Sequence, residues 1–402
     1  PVTTDEGDET LTTLWRIDPA SGRRRRFASG SIGGFRVAPD RSAVAYLRKV
    51  GNHRQPHIQP LDGGEARRCG DLPLGAVGVR WMPDGRLLAM AVLRREAPTL
   101  KGTSGFQPKE GVTARATEDA VYRYWDMWLE HVYHPVIVDP AGGEMIDLTP
   151  DATRFWSWPN TDETADDIDV SPDGKLIVFV ADDSEPPHRQ LSWSLFLMNA
   201  DGSGLRRLDP DQDGHARRPR FTPDGSSIVY GYQAEPDFYA CRVQLVVHDI
   251  ATGARRRLAA GWDRSPQNWK LDRSGRLLFT AEDEGRSRLY RLAVDGSEDQ
   301  APEPLTKGGW VTSPEVGDDG IIYVLSQSLA APPEVHSVDE GPGRLEAVTD
   351  FSVSALADVE LGAAHELRVA GAGGDPIQAW VVDPPHAGPD EPRPLVHLIH
   401  GG

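Results

Sequence analysis

The sequence predicts an all-β fold, a seven-bladed β-propeller whose first blade is incomplete. Two observations predict it: two short phrases alternate along most of the chain, and the strands between the turns are apolar at consecutive positions. A propeller blade has four strands in about 40 to 50 residues, and one pair of these phrases has that size.

The first phrase is an apolar or aromatic residue, a Pro-Asp-Gly-like turn and an apolar run. It occurs at residues 37–47, 81–92, 170–181, 221–232, 271–282 and 316–327. Proline sets φ to about −65° at the first turn position, aspartate hydrogen-bonds nearby backbone, and glycine accepts positive φ. Each copy therefore predicts a strand, a tight turn and a second strand.

The second phrase is a hairpin with a turn of the Asp-x-x-Gly kind. It occurs at residues 14–28, 57–69, 136–149, 195–208, 245–258, 289–306 and 334–349. The first of these hairpins has no first-type partner before it. Six complete pairs and one unpaired hairpin therefore predict seven blades with a thin first one.

Two features of the strands fit blades stacked side by side. Residues 176–180 are all apolar, as expected for a sheet covered on both faces. The last strand of several units carries arginines, at residues 23–26, 67–68, 206–207 and 255–257. Charge of this kind protects the free edge of an outermost strand, so we expect these arginines at solvated edges.

Composition excludes several function classes. The net charge of −18 argues against a nucleic-acid surface, and no apolar run is long enough to cross a membrane. Cys69 and Cys241 form neither a disulfide framework nor a metal cluster, so no metal and no cofactor are expected. No targeting segment is visible after Pro1, so we expect a cytoplasmic protein. Both ends of the sequence look cut. The exposed strand edges of a cut ring would favour a homo-oligomer.

One long irregular stretch interrupts the repeats. Residues 94–120 have a loop composition without periodicity, and loops of this length are usually functional or disordered. The next residues crowd four aromatic side chains together, Tyr122, Tyr124, Trp125 and Trp128. They either pack between blades or line a mouth where substrate is held.

The repeat ends near residue 361. Residues 365–371 and 375–385 predict a hairpin, and after a Pro-rich connection residues 395–399 predict a short buried strand. This strand runs directly into His400, Gly401 and Gly402. A strand followed by His-Gly-Gly matches the oxyanion-hole loop of α/β-hydrolases, where backbone N–H groups approach the substrate. We therefore expect a propeller domain at 1–355 and the first strands of an α/β-hydrolase domain at 356–402.

With these pieces the sequence resembles the prolyl oligopeptidase family of serine peptidases, in its acylaminoacyl peptidase and dipeptidyl aminopeptidase branch. The resemblance rests on the blade phrases and on residues 122–128, 280–292, 331–335, 377–385 and 394–402. It implies a propeller that caps a hydrolase domain and admits short peptides to a Ser-Asp-His triad. The sequence contains no Gly-x-Ser-x-Gly elbow, so no catalytic triad residue is expected in this chain, which alone should be inactive.

The resemblance also implies positions for substrate contacts. His400, Gly401 and Gly402 would form the oxyanion-hole loop, and propeller carboxylates would hold the amino terminus of a peptide. Glu235 and Asp237 are candidates for that role; alternatively, they are solvated loop acids. Arg123 is a candidate contact to a substrate carbonyl or carboxylate; alternatively, it forms an ion pair in the core. Two other functions fit a propeller: a non-enzymatic scaffold that binds proteins, and a metal-dependent hydrolase, which the scattered histidines disfavour.

Overall fold

The computed structural model describes the chain except residues 1, 5–6, 102–110, 112–113, 115, 125–126, 151, 155–165, 237, 239, 318, 340–342, 387, 389–391 and 400–402. The chain divides into two compact units. The first contains residues 1–266, 271–277 and 292–302, and the second contains residues 267–270, 278–291 and 303–402. The expected boundary between residues 355 and 356 stays a prediction.

The first unit is built from consecutive antiparallel sheets. A three-stranded sheet comes first, in the order β1–β2–β3. Its strands are β1 (Val2–Thr4), β2 (Gly7–Ile17) and β3 (Arg24–Gly30). A four-stranded sheet follows in chain order, with β4 (Ile32–Val37), β5 (Ala43–Val50), β6 (His53–Pro60) and β7 (Arg67–Arg68).

The third sheet contains a long insertion between its second and third strands. It begins with β8 (Ala76–Trp81) and β9 (Leu87–Arg94), and the insertion carries a small hairpin of β10 (Arg123–Tyr124) and β11 (Met127–Trp128). The sheet then continues with β12 (His131–Val138) and β13 (Ile146–Asp147). Its strand order is β13–β12–β9–β8, so the insertion leaves from one end of the β9–β12 pair.

Two more four-stranded sheets follow in the first unit, each with its strands in chain order. The fourth has β14 (Ile168–Val170), β15 (Leu176–Asp182), β16 (Trp193–Asn199) and β17 (Arg206–Arg207). The fifth has β18 (His215–Phe221), β19 (Ser227–Gln233), β20 (Val243–Asp249) and β21 (Arg255–Leu258). The predicted Arg clusters lie on β3, β7, β17 and β21, each at the end of its sheet, which confirms their placement on edge strands.

The last repeats form one larger sheet. Its strands are β22 (Gln267–Leu271), β23 (Arg276–Asp283), β24 (Arg286–Ala293), β25 (Glu303–Pro304), β26 (Trp310–Val316), β27 (Ile322–Ser328), β28 (Ala331–Asp339) and β29 (Arg344–Ala347). The order is β22–β23–β24–β26–β27–β28–β29, with β25 on β24 and a single parallel bridge between Ser287 and Trp310. A short helix α1 (Phe351–Ala355) and the hairpin β30 (Ala363–Ala370) and β31 (Pro376–Asp383) follow, with a 3₁₀ turn at Ala372–Gly374 between the two strands.

The turns of the first phrase have the predicted chemistry. In all six copies the aspartate side chain accepts the backbone N–H two residues later, at 2.9 to 3.1 Å. Four copies have glycine directly after this aspartate, and the copy at 271–282 has Gly275 three residues after Asp272; these five glycines have φ between +72° and +85°. The remaining copy has Arg41 directly after its aspartate, at φ +60°. A side chain at positive φ is costly, so this turn is the strained member of the set.

The core lies between the sheets, as the doubly apolar strands predict. Along β15, Ile177 and Phe179 pack into one buried cluster, whereas Val178 and Val180 pack into another. All four residues are at most 1% exposed. Neighbouring residues of a strand point to opposite faces, so β15 is covered on both sides, which confirms the prediction.

The end of the described chain differs from the prediction. Residues 395–399 were expected as a buried strand, but the structure contains no strand there. Leu395, Val396, Leu398 and Ile399 are 80 to 88% exposed. A strand needs a neighbour to satisfy its backbone groups, and none of the described residues pairs with this segment. The buried-strand prediction is therefore wrong for this structure, and His400, Gly401 and Gly402 lie outside the described residues.

Candidate functional site

The insertion of the third sheet forms a pocket, called here the aromatic pocket. The backbone N–H of Arg95 still donates to the Glu130 carbonyl at 2.9 Å, just beyond the last pair of β9 and β12. Past this point the segment after β9 and the segment before β12 separate, and a cavity of about 640 Å³ lies between them. Its lining includes Arg95, Glu96, Asp119, Tyr122, Trp128 and Glu130. The pocket is therefore positioned by a rigid sheet and shaped by the insertion.

The β10–β11 hairpin supplies the aromatic wall. Arg123 pairs with Trp128 across the hairpin, and the Leu129 N–H donates to the Tyr122 carbonyl at 3.0 Å. The Tyr122 and Trp128 rings stack with centroids 5.8 Å apart, although the side chains are 48% and 38% exposed. Exposed stacked rings offer apolar area to a ligand, so these two aromatics favour the mouth interpretation over inter-blade packing.

Charged groups surround the aromatic wall. Arg95 forms an ion pair with Asp119, and the Arg123 guanidinium lies 5.9 Å from the centre of the Trp128 ring. Burial lowers the pKa of the neighbouring His131, and Arg94 lowers it further, against the opposing effect of Glu130 and Glu96. His131 is therefore neutral at pH 7. The pocket and its rim combine aromatic faces with carboxylates and guanidinium groups.

A second group of charged residues lies on the first strands of the sheets and is called here the inner cluster. Asp166 faces the guanidinium groups of Arg36 at 3.7 Å, Arg80 at 3.3 Å, Arg218 at 3.6 Å and Arg220 at 3.1 Å. One carboxylate therefore connects β4, β8 and β18 through their side chains. Because its side chain is 30% exposed, Asp166 is partly withdrawn from water.

The inner cluster is extended by two more aspartates. The Asp169 carboxylate accepts the Phe221 N–H at 3.0 Å and pairs with Arg80 at 3.5 Å, and Asp167 accepts the Arg218 N–H at 2.7 Å. Burial lowers the pKa of Arg220 to about 10, helped by its neighbour Arg80 and opposed by the aspartates. With this pKa Arg220 stays charged at neutral pH. The ion pairs of the inner cluster connect consecutive sheets of the first unit.

The residues predicted from sequence are placed in different ways. Arg123 is exposed and beside the aromatic pocket, in contact with Trp128. Glu235 is exposed in the loop after β19, where its carbonyl accepts the Phe238 N–H at 3.1 Å, and it is not part of the pocket lining. Asp237 lies outside the described residues, as do His400, Gly401 and Gly402, so their roles stay predictions.

Sequence reasoning missed two sets of residues. Glu96, Asp119 and Glu130 reach the aromatic pocket only through the fold of the insertion, and no spacing in the sequence indicates them. For the inner cluster, the sequence does contain a signal. Arg36, Arg80, Asp169 and Arg220 each stand three residues before the proline of a first-phrase turn. A charged residue at the same position of consecutive repeats indicates that the side chains meet along one edge.

The second unit has its own cleft, of about 810 Å³, beside the β30–β31 hairpin. Its polar lining includes Asp383, which lies 3.2 Å from the His365 ring and 3.5 Å from the Arg393 guanidinium. Among the residues that the structure describes, no group of three His, Cys, Asp or Glu side chains is arranged to hold a metal ion. No described helix has the length and apolar character needed to cross a membrane.

Comparison with known proteins places this geometry in a family context. No protein-family model matches the chain. Dipeptidyl-peptidase 5 of Aspergillus fumigatus is 26% identical over 318 residues, which cover 72% of this chain and 44% of that protein. Among solved structures, an acylaminoacyl peptidase superposes with a TM-score of 0.67 at 18% identity, over 95% of this chain and 57% of that one. The chain resembles the prolyl oligopeptidase family of peptidases.

Another solved structure concerns the propeller alone. The β-propeller domain of the Trilobed protease from Pyrococcus furiosus matches with a TM-score of 0.54 at 15% identity, over 85% of this chain and 94% of that domain. The fold is therefore nearly all-β and of the propeller kind found in these peptidases, whereas the number of blades stays a prediction. The chain spans less than half the length of the curated relatives it matches.

Proposed function

We propose that the chain is the substrate-gating propeller portion of a serine peptidase that hydrolyses short peptides, with acylaminoacyl- or dipeptidyl-peptidase specificity. The observation that carries the proposal is the similarity to dipeptidyl-peptidase 5 over 72% of the chain, together with a structural match to an acylaminoacyl peptidase over 95% of it. The relatives are longer than this chain, and in this proposal the full-length protein is the chain followed by a hydrolase part.

Within that enzyme, the aromatic pocket holds the peptide. Tyr122 and Trp128 offer faces for an apolar side chain, and Arg123 beside them offers donors to a carbonyl or carboxylate of the substrate. Binding groups placed away from the reacting bond position the substrate for the chemistry. The pocket then contributes to affinity and selection, and the hydrolase part performs bond cleavage.

The β30–β31 hairpin begins the hydrolase part in this proposal. One of its faces carries Leu367, Val369 and Ile377, which are 42 to 49% exposed. Exposed apolar faces of this kind are covered in a complete protein, and further hydrolase strands would cover this one. The N–H groups of Gly401 and Gly402 would then stabilise the oxyanion, and losing one such donor typically costs about 100- to 1000-fold in rate.

Hydrolysis by the full-length protein tests the proposal. We expect cleavage of dipeptidyl and N-acyl-aminoacyl chromogenic substrates, and little or no cleavage of a folded protein of the same composition. The 402-residue chain should cleave none of them, because the triad lies outside it. Absence of cleavage by the full-length protein with every short substrate would contradict the proposal and favour the scaffold alternative.

The same assay separates the proposed roles of the propeller carboxylates. If Glu235 holds the substrate ammonium, Glu235→Ala in the full-length protein raises KM for free-amine substrates and leaves N-acylated substrates unaffected. Glu185→Ala, which also removes an exposed loop acid of the first unit, serves as the matched control. Equal effects of Glu235→Ala on both substrate classes would remove Glu235 from the anchoring role.

A further inference from the structure

The turn between β23 and β24 contacts the β30–β31 hairpin, and its three residues Glu284, Gly285 and Arg286 are called here the 284–286 turn. The Arg286 guanidinium donates to the Glu366 carboxylate at 3.0 Å and lies 4.9 Å from the centre of the Trp380 ring. A planar guanidinium stacks on an aromatic ring and hydrogen-bonds in its own plane at the same time. Arg286 therefore contacts both strands of the hairpin.

Glu284 contacts the hairpin through both its backbone and its side chain. Its carbonyl accepts a hydrogen bond from the Gln378 amide at 2.9 Å, and its carboxylate pairs with Arg368 at 3.3 Å. Gly285 between them has φ +67°, and a Cβ added there would stand 2.8 Å from the indole nitrogen of Trp380. The close approach of the turn to Trp380 thus requires a residue without a side chain.

The hairpin residues that meet the turn all belong to one face. Glu366 lies opposite Trp380 and Arg368 lies opposite Gln378 in the strand register. Side chains two residues apart on a strand share a face, so these four form one continuous surface. The other face, with Leu367, Val369 and Ile377, is the exposed apolar one. Among the described residues, the turn therefore contacts the hairpin on one face only, and Leu367, Val369 and Ile377 on the opposite face are exposed.

We propose that the 284–286 turn is a latch that fixes the hairpin against the β23–β24 strands and thereby sets the position of the chain that follows β31. The contacts are two ion pairs, one amide-to-carbonyl hydrogen bond and one contact between a guanidinium group and a ring. A role of the latch in the peptidase rests on the proposed function, because the β30–β31 hairpin is assigned to the catalytic part only there. For this chain it is a property of the second unit alone.

Hydrogen exchange of the 402-residue chain, followed by mass spectrometry, tests the latch. Arg286→Ala removes the ring contact and the charge-assisted bond, and we expect the amides of β30 and β31 to exchange about tenfold faster. The buried strands β15 and β19 should keep their wild-type rates. Arg291→Ala is the matched control, because Arg291 lies on the same strand and pairs with Glu303 at 2.9 Å; it should leave hairpin exchange unchanged.

A conservative variant keeps the test decisive if the alanine variant does not fold. Arg286→Lys retains the charge near Glu366 but loses planar stacking on Trp380, so hairpin exchange should accelerate by a smaller factor, about threefold. Wild-type exchange rates in the hairpin of either folded variant, or acceleration equal to that of Arg291→Ala, would overturn the latch. Since the readout is exchange and not hydrolysis, a failure here leaves the peptidase proposal standing, and the reverse also holds.

Discussion

Replacement of Asp166 by alanine is expected to lower the free energy of unfolding of the first unit by about 3 kcal/mol, since removing one partner of a partly buried charge network leaves the others uncompensated. The four guanidinium groups of the inner cluster share this carboxylate, and they come from β4, β8 and β18. Without it, like charges face one another in a poorly solvated space. Urea unfolding, followed by fluorescence, measures the change.

Asp211→Ala is the control for this prediction. Asp211 also pairs with an arginine, Arg255, but its side chain is 66% exposed. Exposed pairs contribute about 0 to 1 kcal/mol, so the urea midpoint should barely move. Equal midpoints for the Asp166 and Asp211 variants would contradict the stabilising role of the inner cluster.

The pH dependence of the same variants follows from the charge of Asp166. Burial alone would raise the pKa of Asp166, but the guanidinium groups of Arg220 and Arg80, followed by those of Arg218 and Arg36, outweigh burial and hold the pKa below its usual value. A carboxylate with a lowered folded-state pKa contributes stability above its unfolded pKa of about 4 and loses it as the pH falls further. The difference between wild type and Asp166→Ala should therefore be full at pH 7 and shrink below about pH 4.

Removal of the aromatic wall should weaken substrate binding by the full-length protein. Trp128→Ala takes away the ring that stacks on Tyr122 and lies under Arg123, and we expect KM for short peptides to rise about tenfold with little change in kcat. Loss of an exposed aromatic contact removes binding that is equal in ground and transition states, which gives this pattern. Steady-state kinetics with a dipeptidyl substrate measure it.

The chain offers a close control for Trp128. Trp15 on β2 is 36% exposed, and the Arg26 guanidinium lies 5.7 Å from its ring centre, so it repeats the tryptophan–arginine arrangement away from the pocket lining. Trp15→Ala should leave KM unchanged. A similar KM for both variants and wild type would show that the aromatic pocket takes no part in holding substrate.

The repeat pattern allowed most of the fold to be predicted, because turns and strands are specified locally. The Asp side chains of the first-phrase turns accept the backbone N–H two residues later, and the consecutive apolar residues of β15 are buried on both faces of the strand. The Arg-rich edge strands were predictable because the arginines recur at the last strand of several repeats. These features depend on neighbours within one hairpin.

The candidate site was harder to predict because it depends on contacts between distant segments. Glu96 and Asp119 approach Tyr122 only through an insertion without periodicity. Residues 395–399 have the composition of a buried strand, but burial depends on a partner, and no described residue provides one. Sequence pattern gives the preference of a segment, whereas its environment decides whether that preference is realised.

In the proposed function, this propeller is part of a serine peptidase whose nucleophile lies outside the 402 residues. Labelling with a fluorophosphonate probe, which reacts covalently with activated serines, tests it most directly when the full-length protein and the 402-residue chain are compared. We expect one label per molecule of full-length protein, at a serine beyond residue 402, and no labelling of the chain alone. A labelled 402-residue chain, or a folded full-length protein that takes up no label, would contradict the claim.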